Sequence, residues 1–285
     1  MDSKNATTHL QQVEQRMHDL IQLNAGGAAT ACAAHLQAGG SRVRARLALQ
    51  ACTALRVNHD DAIAVASACE LLHNASLVHD DLQDRDTERR GRPALWHSFG
   101  EAVAICAGDL FLSAAYAALT DTGARAAPLM ACVHRRVAEV IRGQGEDLAL
   151  RTAIPDSLET YERVARAKSG PLLILPLELS LTLAHREAFI PAATEACACF
   201  AVGYQAADDL VDEARDALHK ELNLVAVFAA RGVAEPIAAT RALALERFTQ
   251  ARAAALRLPS GCGDLLAELA AQYANDLATS VRACA

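Results

Sequence analysis

The stretch Leu71–Gly91, LLHNASLVHDDLQDRDTERRG, carries an apolar helical face straight into a dense block of acids followed by two arginines. On a helix, Asp80 and Asp84 stand four residues apart and Asp81 and Asp84 three apart, so their carboxylates leave one face within a single turn. Like charges this close repel. The cluster is costly unless cations neutralise it, and hard oxygen ligands on one helix face suit Mg²⁺, which keeps part of its water shell and is often shared with substrate phosphates. A solvated acidic helix end would carry the same residues, since short acidic runs are common on surfaces. A second copy decides between the two: in GYQAADDLVD, residues 203–212, Asp208, Asp209 and Asp212 repeat the spacing of Asp80, Asp81 and Asp84. Two such clusters facing each other could hold several divalent ions around one diphosphate.

Composition then bounds the fold. Of 285 residues, 52% are hydrophobic but only 4% aromatic, and Ala and Leu are prominent, which favours many helices packed through small side chains. The reading is all-α, as one domain over 1–285, because no Pro- or Ser-rich linker interrupts the chain. The net charge of −7, with no basic cluster interleaved with aromatics, argues against a nucleic-acid partner. Nine cysteines lie in apolar surroundings such as those of Cys32 and Cys69, as free thiols would in a reducing cytoplasm. Cys197 and Cys199 point to different sides of a helix and make a poor zinc pair. The polar N-terminal residues carry no apolar core of the kind that export signals require, so no export is expected. No run approaches the roughly twenty uninterrupted apolar residues of a membrane span, so a soluble protein without a transmembrane segment is expected.

Along the chain, Leu10, Val13, Met17, Leu20 and Ile21 mark an amphipathic helix ended by Gly26 and Gly27. After an Ala-rich helix, the Gly39–Gly40 corner precedes SRVRAR, with Arg42, Arg44 and Arg46 opening a helix to about Val57. Basic groups beside a Gly-Gly corner can meet an anion, and a solvated helix end explains them equally well. Asn58, Asp60 and Asp61 cap the helix that delivers the first cluster. Further helices are predicted over 101–119, 126–142 and 157–168, the last opened by Asp156 with Glu159 and stopped at Ser169, Gly170 and Pro171. Gln144 and Asp147 read as polar groups turned toward a site, and Lys168 and Ser169 as a cation and a donor at a kink. Pro191 starts the helix that carries Gln205 and the second cluster; helices over 222–231, 236–256 and 264–283 complete the set. No Gly-rich phosphate loop follows a predicted strand, and no nucleophile elbow is present.

These motifs together resemble the trans-isoprenyl diphosphate synthases, or polyprenyl synthetases, from Gly39 to about Asp212. The resemblance implies an isoprenoid-synthase-type bundle of about ten or more helices around a central cavity, and a homodimer. It implies that Asp80, Asp81, Asp84, Asp208, Asp209 and Asp212 bind about three Mg²⁺ ions that clamp an allylic diphosphate, with Arg89 on that diphosphate as well. Isopentenyl diphosphate would be held by Arg42, Arg44, His73 and Arg90, while Lys168, Ser169 and Gln205 fall on the family's Lys-Thr and Phe-Gln positions. Ionisation of the allylic C–O bond, attack by the isopentenyl double bond and loss of a proton would extend the chain by five carbons. In this family product length depends on bulk below the first motif, where Ala75 and Ser76 leave no aromatic floor, which favours C20 or longer; Phe111 or Leu72 could close the cavity deeper down.

The sequence departs from the pattern at Ser41, where the family has lysine, at Ser169 for Thr and at Tyr204 for Phe. The segment after Asp212 is shortened and lacks a clear Gly-Lys, for which Lys220 is the candidate substitute. Two alternatives stay open. One is a terpene-synthase-like enzyme ionising a single allylic diphosphate; the other is a non-catalytic subunit of a heteromeric prenyl synthase, although the chain keeps all six carboxylates.

Overall fold

Small side chains decide how these helices pack. The computed structural model describes residues 3–23, 26–150, 157–219 and 222–280, gathered in two compact units: Met1–Val133 with Leu179–His185, and His134–Glu178 with Arg186–Ala285. The first unit contains α1 (Ser3–Gln22), α2 (Gly27–Gln37), α3 (Val43–Ala54), α4 (His59–Asp84), a hairpin of β1 (Glu88–Arg89) and β2 (Arg92–Pro93), α5 (Leu95–Phe99) and α6 (Glu101–Leu119). At its core lies α4, buried on all sides along Ala62, Ala64, Val65, Ala66, Ser67, Ala68 and Cys69, a pattern that only a central helix can carry. Helices α3 and α6 pack directly on it, and α1 and α2 also lie against α6.

Both ends of α4 are pinned. Asn58 accepts the Asp61 amide at 2.9 Å, the cap the sequence predicts. At the other end Arg85 turns left-handed (φ 60°) and the Asp86 amide returns to the Asp81 carbonyl at 3.0 Å. The Arg85 guanidinium sits 5.5 Å over the Trp96 ring, whose Nε1 donates to the Asp86 carbonyl at 2.7 Å. Beyond this clamp the hairpin pairs Arg89 with Arg92, leaving Arg90 and Gly91 as a two-residue turn. Both have positive φ, 56° and 70°, as the tight turn between right-twisted strands requires. Glycine accepts this freely; Arg90 does so under strain.

The second unit contains α9 (Ile190–His219), α10 (Leu224–Ala230), α11 (Pro236–Ala255) and α12 (Asp264–Ser280). Phe200, Phe248 and Tyr273 join α9, α11 and α12 through ring contacts of 5.6–5.7 Å. Two further helices, α7 (Ala126–Leu150) and α8 (Leu158–Leu183), contribute residues to both units. The all-α reading holds, apart from the short hairpin.

Helix α8 differs from the sequence expectation. It does not stop at Ser169–Pro171 but continues through Pro171 and Pro176. An interior proline removes a backbone bond and costs about 3 kcal/mol. Leu172, Leu173, Ile174, Leu175 and Leu177 are all buried beyond it, each worth about 1.5–3 kcal/mol, so burial outweighs the break. Helix α7 likewise runs past Gly143 instead of ending there. Gly143 is a packing glycine: a Cβ on it would lie 2.6 Å from the Ala167 carbonyl carbon and 2.7 Å from its oxygen. That oxygen is the acceptor Pro171 cannot use.

One stretch among the described residues, Glu101–Ala149, is long and apolar enough by length and composition to cross a membrane, although no uninterrupted apolar run suggested it. Of its apolar window, 44% is buried inside the protein, which core helices also show.

A side chain at position 143 should force α7 off α8. Gly143→Val is expected to cost about 1–3 kcal/mol and lower the thermal midpoint; an unchanged midpoint would show that the two helices can part freely.

Candidate active site

The Gly39–Gly40 corner sets the first part of the site. Gly39 (φ 78°), Gly40 (φ 142°) and Arg42 (φ 49°) all have positive φ, and this reverses the chain between α2 and α3. The left-handed turn at Arg42 sends its side chain inward. Only 5% exposed, it donates to the Leu36 carbonyl at 2.9 Å and to Glu14 at 3.2 Å, and lies 3.9 Å from Glu70. Arg42 therefore ties α1, α2 and α4 together, while its Nη1 has no hydrogen-bond partner and its charge acts on Arg90.

Arg44 and His73 do come together, Nη1 to Nε2 at 3.2 Å. Arg90 joins this unit's corner from the hairpin: it donates to the Gly39 carbonyl, and its guanidinium lies where a Cβ on Gly40 would sit, 2.5–2.9 Å away. Ser41 is exposed beside them. His35 of α2 belongs to the same cluster, its ring edge-on to the fully buried Phe111 at 5.7 Å. Burial, and then the Arg90 charge, lower its pKa to about 4. Burial and then Arg44 hold His73 well below the ordinary imidazole range. Both rings are neutral at pH 7, able to offer an N–H to an anion without adding charge.

In the first acidic cluster the three carboxylates are not equivalent. Asp80 and Asp84 are half-buried at the end of α4, whereas Asp81 is fully buried. Its Oδ1 receives the Arg89 Nε at 2.7 Å and a second bond from Nη2. Burial pushes the Asp81 carboxyl above its usual range, and the Arg89 bonds oppose the rise. Arg89, expected on the substrate diphosphate, is thus engaged with Asp81 in this form. The Asp81 Oδ2 is buried with no hydrogen-bond partner. Among the described residues no three His, Cys, Asp or Glu side chains already converge on a metal position. An orphaned carboxylate oxygen between two half-exposed aspartates nevertheless fits a hard cation that brings water and phosphate oxygens of its own.

Upstream on α4, Ala75 is 5% exposed and the Ser76 hydroxyl donates to the His73 carbonyl at 2.9 Å. His79 packs on α6 over Gly108, where any side chain would meet its ring.

The second cluster, on α9, repeats the division. Asp208 is exposed, Asp212 is half-buried and Asp209 is 1% exposed. The Asp209 Oδ2 accepts the Tyr161 hydroxyl and the Leu224 amide, both at 2.7 Å, and Oδ1 accepts the Gln205 amide at 2.9 Å. Burial still pushes its pKa up to about 7. Lys168 bonds Asp147 at 3.0 Å, and the half-buried Ser169 follows it on α8. Asp147, Tyr161, Lys168, Gln205, Asp208 and Asp216 line one small cavity of this unit. Tyr161 and Asp216 were missed in the sequence. Their signals were there: Tyr161 precedes Lys168 by two helical turns, and Asp208, Asp212 and Asp216 recur every four residues. Lys220 and Asp156 lie outside the described residues.

A family model described as polyprenyl synthetase matches residues 28–223. The chain is 36% identical over 146 residues to a (2E,6E)-farnesyl diphosphate synthase of Mycobacterium bovis, covering 51% of this chain and 41% of that protein. It is 31% identical over 180 residues to a short chain isoprenyl diphosphate synthase of Methanocaldococcus jannaschii, covering 62% and 55%. The chain thus spans about half the length of the curated relatives it matches. A decaprenyl diphosphate synthase from Rhodobacter capsulatus shares the fold, with a TM-score of 0.85 at 21% identity, covering 96% of this chain and 98% of that one.

Because the folded protein holds His35 and His73 neutral, unfolding takes up protons once the pH falls below the ordinary imidazole value of about 6.5. The contribution of these two rings to stability is therefore complete above that value and is lost as pH falls toward 4, where His35 titrates in the folded protein. His35→Gln should reduce the slope of unfolding free energy against pH in this window by up to about 1.4 kcal/mol per pH unit. An unchanged slope in denaturant titrations would show that His35 is not held neutral.

Proposed function

Because the chain belongs to the polyprenyl synthetase family, we propose that it condenses isopentenyl diphosphate head-to-tail with an allylic diphosphate. The products are an all-trans polyprenyl diphosphate, C20 or longer, and diphosphate. One observation carries the reading: both acidic clusters are intact, and each buries its middle carboxylate while its two neighbours stay at least partly exposed to solvent. The ligands for Mg²⁺, about three ions by the family pattern, are Asp80, Asp81 and Asp84 with Asp208, Asp209 and Asp212, the buried Asp81 and Asp209 lying behind their neighbours. Bound Mg²⁺ supplies the charge that stabilises the leaving diphosphate.

The chain's own groups do the rest. Lys168 and Gln205, with Ser169 beside them, serve the allylic diphosphate, and Arg89 joins them on leaving Asp81. Arg44, Arg90 and neutral His73 hold isopentenyl diphosphate so that its double bond meets the allylic cation. Fixed charges aimed at the developing diphosphate need no reorganisation during ionisation. The proton lost after condensation passes to the departing diphosphate. Ala75 and Ser76 line the growing chain, and Phe111 is the candidate for a deeper stop. The whole of 1–285 acts as one isoprenoid synthase domain, as a homodimer in the cytoplasm. The described cysteines are free thiols, which supports that compartment.

A second reading has its own observation. With serine at 41 and Arg42 buried against Glu14 and Glu70, the isopentenyl corner has less cationic charge to offer than the family pattern. An enzyme that ionises one allylic diphosphate without condensing it could work with that corner.

Incubation with Mg²⁺, labelled isopentenyl diphosphate and geranyl or farnesyl diphosphate separates the two, by chromatographic sizing of the dephosphorylated products. Elongation strictly dependent on both substrates, lost in Asp80→Ala and Asp208→Ala, is expected. Turnover of the allylic substrate alone favours the second reading, and no elongation with any primer sinks the first. Ala75→Phe should shorten the product; an unchanged length would place the chain cavity elsewhere.

A further inference from the structure

The shortened segment after Asp212 leaves the second cluster without the family's Gly-Lys, yet the chain returns to the cluster at Asn223. Asn223 is 3% exposed. Its Nδ2 donates to the Asp209 carbonyl and to the Asp216 Oδ2, both at 2.9 Å, and its Oδ1 caps α10 by accepting the Val225 amide at 2.9 Å. The next amide, Leu224, binds the Asp209 carboxylate at 2.7 Å. One residue therefore ties the start of α10 to both the main chain and, through its neighbour, the side chain of Asp209. Asp216 is 4% exposed, a carboxylate taken out of water against this amide.

A helix can turn about its own axis within its packing unless something fixes it. Asp208 is about 100° around α9 from Asp209, so any rotation that moves one moves the other. We propose that Asn223 and Asp216 are positioning residues: they fasten Asp209 as an inward buttress and so hold Asp208 and Asp212 in the orientation that receives metal. The anchor is thus supplied by two residues that act on the cluster through Asp209. It rests on the metal role proposed above for Asp208 and Asp212.

The clasp has a directional test, because its donor and acceptor can be exchanged. In the full chain, Mn²⁺ binding in the presence of inorganic diphosphate is followed by electron paramagnetic resonance of the free ion. Asn223→Ala is expected to weaken Mn²⁺ affinity about tenfold, and Asn223→Asp, which sets two carboxylates face to face, more than that. The exchange Asp216→Asn with Asn223→Asp rebuilds one amide-to-carboxylate bond and should recover most of the loss. Should Asn223→Ala fold poorly, Asn223→Ser keeps an acceptor for the Val225 amide and lacks the amide donor, so it reports the same loss. Affinity unchanged in a folded Asn223→Ala or Asn223→Ser protein, or an exchange no better than Asn223→Asp alone, overturns the proposal. Failure of the unmutated chain to elongate a primer counts against the reaction; the relative Mn²⁺ affinities count for or against Asn223 and Asp216.

Discussion

A carboxylate removed from water must be held by donors or lose its charge, and this chain uses that constraint twice. In each acidic cluster the second aspartate is the buried one. Asp81 is fixed by Arg89, and Asp209 by Tyr161, Gln205 and the Leu224 amide. Because adjacent helical residues point in different directions, enclosing the middle carboxylate sets where its neighbours go. Asp80 and Asp84 are left half-exposed in one unit, and in the other Asp208 is exposed and Asp212 half-buried. Burial raises the pKa of both enclosed groups. Only the donors around them favour the charged form.

The arginine hairpin follows the same logic of backbone first and charge second. Positive φ at Arg90 and Gly91 makes a tight turn in which the two neighbouring arginines reach different targets, Arg89 the Asp81 carboxylate and Arg90 the Gly39 carbonyl. The division of labour proposed for two diphosphates begins in this turn. At the corner that Arg90 reaches, a similar left-handed residue, Arg42, carries a cation that is buried against Glu14 and Glu70.

Local signals were legible in the sequence and directional ones were not. The doubled Asp spacing, the Asn58 cap and the turn glycines act over a few residues, and each appears where the residues place it. The inward course of Arg42 depends on one backbone angle, which an Arg-x-Arg pattern does not encode. Pro171 read as a stop because its local cost is visible, while the burial that outweighs it is spread over five later residues. Tyr161 stands 48 residues from Asp209, so their bond shows only when α8 and α9 are packed. Asn223 is closer in sequence, but its role depends on where the chain returns after α9.

The proposed reaction requires both acidic clusters to serve one diphosphate. The direct measurement is the number of Mg²⁺ ions bound, by calorimetric titration of the protein with a non-ionising allylic diphosphate analogue. About three ions per chain are expected, with fewer after Asp80→Ala and again fewer after Asp208→Ala. Binding of the analogue with no metal uptake, or a count unchanged by either substitution, would contradict it.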